Sequence, residues 1–226
     1  MSLQTILSVA ETVGINDRKF AGQMLSRNMR ISTSQILTVQ PFEFTIKPMN
    51  YLLLSQNRAV LSALRIADRI NEQYLNFGST GWLNYIKYQG DMTGPQAAAC
   101  QVQTVSTGST IVLGSLPSIS SSAYIVKTGD FIQINRYAYI ATSDVQRGGG
   151  STVSIPVHRP LITTVATVTA AVIGQYGTTT SLGGSTYTGI TFPVILREYP
   201  TYTLVPMTND SFLSWDGGFK AIEAVL

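Results

Sequence analysis

The feature that most constrains this chain is the stretch from residue 101 to 190, where 27 of 90 residues are Ser or Thr, only six are charged, and β-branched runs are cut by glycine. Branched side chains lose rotamer freedom in a helix, and hydroxyls compete for backbone hydrogen bonds there, so this composition favours strands. Short strands are predicted at Thr110–Leu113, Tyr124–Val126, Phe131–Ile134, Tyr137–Thr142, Thr152–Val157 and Leu161–Ile173. Turn chemistry at Thr128-Gly129-Asp130 and at Arg147-Gly148-Gly149-Gly150-Ser151 separates them. The spacing predicts an antiparallel barrel or sandwich. The polar stretch Gly174–Gly189, followed by the apolar run Ile190–Arg197, predicts an extended hairpin over about 161–197.

Residues 1–96 carry most of the charge and a different rhythm. Phe42, Phe44 and Ile46 alternate with Glu43, Thr45 and Lys47, as in a half-buried strand. Val60, Leu64, Ala67, Ile70 and Tyr74 recur at steps of four, three, three and four, which predicts one long helix over about 56–76 with Ser55 as its N-cap. Gly81–Tyr88 reads as strand again, and Ile222, Val225 and Leu226 predict a docked C-terminal element. The expected fold class is mainly β with one long helix (α+β), as a single domain over 1–226 with a sub-boundary near 96–101.

Charge excludes several function classes. Fifteen Lys and Arg against 12 Asp and Glu, with nine of the cations in 1–100 and six in 101–226, give no basic cluster for nucleic acid. One cysteine cannot form an intrachain disulfide, and no apolar run reaches the roughly 18 residues of a membrane span. The usual acid-base apparatus is sparse. His158 ends a predicted strand, Cys100 follows three alanines, and Asp68 with Glu72 is flanked by Arg65 and Arg69 as solvated helix-face partners. No zinc spacing occurs, scattered oxygens leave a calcium site open, and no cofactor is implied. Gly148–Gly150 lacks the Lys-Ser/Thr of a phosphate loop and reads as a hairpin turn.

Several local patterns resemble tail-hub and baseplate proteins, the structural components at the distal end of the tail tube of tailed bacteriophages. They are Gly22-Gln23 with Ser26-Arg27, Gln40-Pro41-Phe42-Glu43-Phe44, Asn57-Arg58 leading to Ala67-Asp68-Arg69, and Tyr88-Gln89-Gly90-Asp91. In the second half they are Thr128-Gly129-Asp130-Phe131-Ile132-Gln133, Tyr137-Ala138-Tyr139 and Pro156-Val157-His158-Arg159-Pro160. The resemblance implies a tail-tube-like β module in the virion, made in the host bacterial cytoplasm. It further implies a homo-oligomeric ring, sixfold, that joins the tube to baseplate or fibre proteins and lets DNA pass without specific binding. It implies no enzymatic activity. Arg27, Arg58 and Arg159 are expected as inter-subunit anchors, in a heterologous ring contact. A receptor- or carbohydrate-binding fibre tip is the alternative, motivated by Trp82, Trp215 and eleven tyrosines in a β-rich frame. A hydrolase with dispersed carboxylates is disfavoured, because no proton carrier sits at matched spacing.

Overall fold

The computed structural model describes residues 3–17, 21–25, 31–35, 41–78, 83–104, 108–162 and 169–225. Strands make up 46% of it and helix 14%, so the fold is mainly β, built of antiparallel sheets.

Along the chain, α1 (Leu3–Ser8) is followed by β1 (Ala10–Asn16), β2 (Ala21–Leu25), β3 (Ile31–Gln35), β4 (Glu43–Pro48) and β5 (Leu52–Leu53). Then come α2 (Leu54–Ala67), β6 (Glu72–Asn76) and α3 (Gly94–Ala98). The middle holds β7 (Gln101–Thr104), β8 (Thr110–Gly114), β9 (Tyr124–Val126), β10 (Phe131–Ile134), β11 (Tyr137–Ile140), β12 (Val145–Gln146), β13 (Val153–Pro156) and β14 (Thr169–Ile173). The last part holds β15 (Thr178–Leu182), β16 (Ser185–Thr188), β17 (Thr191–Glu198), β18 (Tyr202–Met207), β19 (Asp210–Trp215) and β20 (Phe219–Glu223).

A five-stranded sheet runs β1-β4-β20-β17-β6, so strands from both ends of the chain interleave in it. Its inner face carries Phe42, Phe44, Ile46, Phe192, Val194, Leu196, Phe219 and Ala221, which alternate as the period-two pattern requires and pack against α1 and α2. A six-stranded sheet runs β11-β10-β14-β7-β8-β13 and curls until its edges meet at the bridge Ala141–Val157. Cys100, Val102, Ile111, Leu113, Ile132, Ile134, Tyr137, Tyr139 and Ile155 fill its concave side. All four residues of β10 are buried, because Phe131 faces the first cluster while Ile132 and Ile134 face the second.

Several expectations are corrected here. One long helix is replaced by three short ones among the described residues, the longest being α2 with 14 residues. Its buried stripe, Val60, Leu61, Leu64 and Ala67, is as the periodicity requires, but Arg69 adopts φ 59° and donates its N–H to the Leu196 carbonyl, turning the chain out of the helix. Residues 72–76 then pair with β17, which outweighs the continued helical spacing of Ile70 and Tyr74. No extended hairpin spans 161–197: β14 pairs with β10 and β7, whereas β17 pairs with β20 and β6. The hairpin within that range is β15–β16, while residues 163–168 lie outside the described residues. Leu83 to Tyr88 form no regular strand; Gly81 and Trp82 lie outside the described residues. The second core cluster draws its buried residues from Tyr88 to Ile173, while Phe131, Ala138 and Val172 of the same span belong to the first.

The long hairpin is made by the last four strands. β17 and β20 pair in the five-stranded sheet, and after breaks at 199–201 and 216–218 their continuations β18 and β19 pair again. This projecting arm closes at the two-residue turn Thr208-Asn209, where Asn209 takes φ 68°, a left-handed conformation that asparagine tolerates. With β5 it forms a three-stranded sheet, β18-β19-β5.

Candidate assembly surfaces

The three arginines expected as inter-subunit anchors have different fates. Arg27 lies outside the described residues. Arg58 is exposed on α2, a position open to a partner. Arg159 is corrected: it has no exposed surface and is an internal clamp. Its guanidinium donates to both Glu223 carboxylate oxygens at 2.6 and 2.7 Å and to the Ala138 carbonyl at 2.7 Å. It also stacks over Phe42 and Tyr139, at 5.0 and 5.3 Å from the ring centroids. Glu223 accepts the Phe42 N–H at 3.1 Å as well, so the pair joins the two sheets with both charges inside the protein. Beside it, Gln133 bonds both backbone groups of Thr191, accepting its N–H at 2.8 Å and donating to its carbonyl at 2.6 Å.

Several described groups that could do chemistry make structural contacts. His158 Nδ1 accepts the Ile140 N–H at 3.0 Å, and its backbone N–H donates to the Ile140 carbonyl at 3.0 Å, closing the curled sheet near its bridge. Cys100 is buried against Met92, and burial pushes its thiol up to about 11. Arg147 donates to the Pro117, Gly148 and Gly150 carbonyls and so organises the glycine loop at 148–150. Asp130 accepts the N–H groups of Gln89 and Lys127, and Asp144 accepts that of Thr128, as turn staples. Desolvation nevertheless holds the buried Asp130 carboxyl above its ordinary value. A 300 Å³ depression on the outer face of the five-stranded sheet is lined by Glu43, Arg197, Glu198 and Lys220. Both acids there are paired, Glu43 with Arg197 at 3.4 Å and Glu198 with Lys220 at 2.7 Å. Among the described residues no group of three or more His, Cys, Asp or Glu could hold a metal ion. No described helix is long and apolar enough to cross a membrane.

Aromatic side chains are mostly interior. Trp215 is 5% exposed and packs on Tyr202 and Phe219, at 5.2 and 5.5 Å, so it offers no sugar platform; Trp82 lies outside the described residues. Tyr74 pairs with Tyr187 at 5.8 Å and donates to Glu72, and burial followed by that bond pushes its phenol up to about 12. Arg136 joins Glu72 from the β10–β11 turn.

What the structure leaves open are sheet edges. The five-stranded sheet has two, and they are treated differently. At β6 the Gln4 side chain donates to the Asn76 carbonyl at 3.0 Å and accepts its N–H at 2.8 Å, so α1 plugs the edge as a strand would. At β1 no further strand pairs among the described residues, and Glu11, Thr12 and Gly14 are exposed. The arm ends on β18, whose residues from Thr203 to Met207 are all exposed. Its tip is tied down on the other side: Asp210 accepts the Ser55 hydroxyl at 2.6 Å and the Ser55 N–H at 3.3 Å. This replaces the expected Ser55 cap, since Leu53 occupies the N-cap position and a carboxylate from β19 serves the first turn of α2. The Ser55 hydroxyl, with the Ser211 N–H, holds the Asp210 carboxyl below the usual range.

No family model matches the chain, and no curated protein matches it in sequence.

Proposed function

We propose that this chain is a structural subunit of a phage tail, forming a ring at the distal end that links the tail tube to baseplate or fibre proteins and surrounds the path of the DNA. The observation that supports it best is the edge at β1, against which no further strand pairs among the described residues, in a sheet whose opposite edge is sealed by Gln4. Open edges of antiparallel sheets are where copies of a subunit join, and a contact between two different patches repeats until the rotation closes. The commitment of His158, Cys100, Arg147 and the paired carboxylates to structural contacts agrees with a building block rather than a catalyst. Exposed Arg58 remains a proposed anchor of the ring contact. Native mass by light scattering, with electron micrographs of the same fraction, tests the reading. Closed rings are expected, and a monomer at every concentration, alone and with tail-tube protein, refutes it.

A further inference from the structure

The curled six-stranded sheet closes on itself along a seam between the end of β11 and residues 156–159. The Ala141 N–H donates to the Asp130 carbonyl at 2.8 Å, so Ala141 turns its polar groups to the β10 side. Ile140, one residue earlier, turns its own towards the seam. There the His158 N–H donates to the Ile140 carbonyl and the Thr142 N–H to the Pro156 carbonyl, both at 3.0 Å. Side chains of two consecutive residues add to these bonds. His158 Nδ1 accepts the Ile140 N–H at 3.0 Å, and the Arg159 guanidinium donates to the Ala138 carbonyl at 2.7 Å. With Ala141 opposite Val157, Ile140 and His158 are a pair that in an ordinary ladder exchanges two backbone bonds, and the imidazole stands in for the second carbonyl. A titratable ring is thus one rung of the closure, and the chain has a single histidine.

A ring nitrogen accepts a hydrogen bond through the lone pair that a proton would take. In the neutral ring Nδ1 accepts and Nε2 carries the proton; in imidazolium both nitrogens are donors, and Nδ1 then faces the Ile140 N–H donor to donor. His158 is half-buried, so solvent reaches part of the residue. The charged groups around it are already engaged. Arg159 follows directly in the chain with its charge inside the protein, and the Glu223 carboxylate of β20 takes two bonds from that guanidinium and one from the Phe42 N–H. A second cation here competes with Arg159 for the same carboxylate. From the first core the uncharged Phe42 ring lies against the imidazole at 5.5 Å. On β11, Tyr139 lies over Arg159, and its hydroxyl accepts the Ile162 N–H. Asp130, across Ala141 from the seam, turns its carboxylate to the N–H groups of Gln89 and Lys127.

We infer that His158 is an acid-sensitive latch of the curled sheet, closed while Nδ1 accepts the Ile140 N–H and released when the ring takes a proton, which frees the end of β11 from residues 156–158. The latch holds above the pH at which the ring is protonated and lets go as pH falls through it. An ordinary imidazole takes its proton near about pH 6.5, so the change belongs to mildly acid conditions. Release is local. The Arg159 bonds to Ala138 and Glu223 do not involve the imidazole, so the two sheets stay joined while the seam opens. The latch concerns the closure of one chain, and it holds for a monomer as for an assembly.

Amide hydrogen exchange read at single residues by NMR, with the histidine ring titrated in the same samples of the full chain, tests the latch. The single histidine gives a single ring signal. Between about pH 7.5 and pH 5, the protection of the Ile140 amide, corrected for intrinsic exchange, is expected to fall about tenfold or more, the scale of one lost hydrogen bond. Its midpoint should coincide with that of the ring. The Ala141 amide, bonded on the β10 side, should keep its protection. His158→Asn places an amide oxygen about where Nδ1 stands and takes no proton in this range, so Ile140 is expected to stay protected throughout. Three results overturn the inference: Ile140 protection that ignores the ring's titration, a ring that stays neutral until the whole fold melts, or a loss of protection that persists in His158→Asn. The last would move the switch to Asp130, the buried carboxyl that desolvation holds above its ordinary value. If the variant fails to fold, the coincidence or divergence of the two wild-type curves decides alone.

Discussion

Replacing Glu223 by Gln removes one charge and keeps the shape, which makes it the sharpest probe of how the two sheets are held together. The wild-type carboxylate takes two bonds from Arg159 and one from the Phe42 N–H, all inside the protein. In Glu223→Gln the amide oxygen can keep accepting hydrogen bonds, but the carboxylate charge that faces the buried Arg159 guanidinium is gone. Breaking one side of such a pair costs about 3–5 kcal/mol, most of it the desolvation of the charge left behind. For a chain of this length each kcal/mol moves Tm by about 2–4 °C, so a fall of roughly 6–20 °C is expected in calorimetry or thermal circular dichroism. The companion Arg159→Met strands the carboxylate instead and should cost a similar amount. The double variant buries no charge and is expected to be more stable than either single one. A loss under about 1 kcal/mol for Glu223→Gln, or a double variant whose cost equals the sum of the singles, refutes the clamp.

Two further outcomes follow from groups that titrate. Cys100, with its thiol pushed up to about 11 by burial, is expected to resist a disulfide reagent at pH 8 in the folded protein and to react fully in guanidinium; a fast reaction in the native state contradicts the packing. Asp210 is held below its ordinary value, so it contributes stability above the usual carboxylate range of about 3.9 and loses that contribution as pH falls through its folded-state value. Hydrogen exchange in β18–β19 should therefore accelerate below about pH 4, and Asp210→Asn should abolish that local dependence. An identical pH profile in the variant would remove Asp210 as the tie between arm and helix.

The strands that the sequence marks most clearly are those whose two ends are both signalled. β8, β9, β10, β11 and β13 fall within a residue or two of their predicted positions, because glycine, Asp-containing turns and β-branched runs fix each boundary locally. The helix overshoots where only tertiary pairing decides: Ile70 and Tyr74 keep the helical step, and the partner that makes 72–76 a strand lies in β17, over a hundred residues away. The expected hairpin fails for the same reason, since neighbouring strands in sequence can belong to different sheets. Arg159, expected as an inter-subunit anchor, is bound inside the protein by Glu223. The missing signal lay at the other end of the chain, where Phe219, Ala221 and Glu223 alternate on the core-facing side of β20, and a carboxylate in that register demands a buried cation. The arm was legible in part. Tyr202 and Leu204 stood out, but its Thr208-Asn209 turn has no glycine, and nothing local separates β18 and β19 from the strands they continue.

The pairing of β6 with β17 sets a timetable for synthesis. Everything from residue 77 to 190, including the curled sheet, leaves the ribosome between these two neighbours. Until β17 and β20 emerge, Phe42 and the β4 residues Phe44 and Ile46 wait without the β20 and β17 side chains that will cover them. Local pairings of the middle segment can form at once, whereas the first sheet needs both ends of the chain, so the inserted sheet forms early and the outer one closes late. Early order in the middle also shortens the effective span between β6 and β17, which reduces the loop entropy lost when they meet. The Arg159–Glu223 pair then waits for β20 to join the first sheet, since one partner rides on the finished insert and the other on that strand.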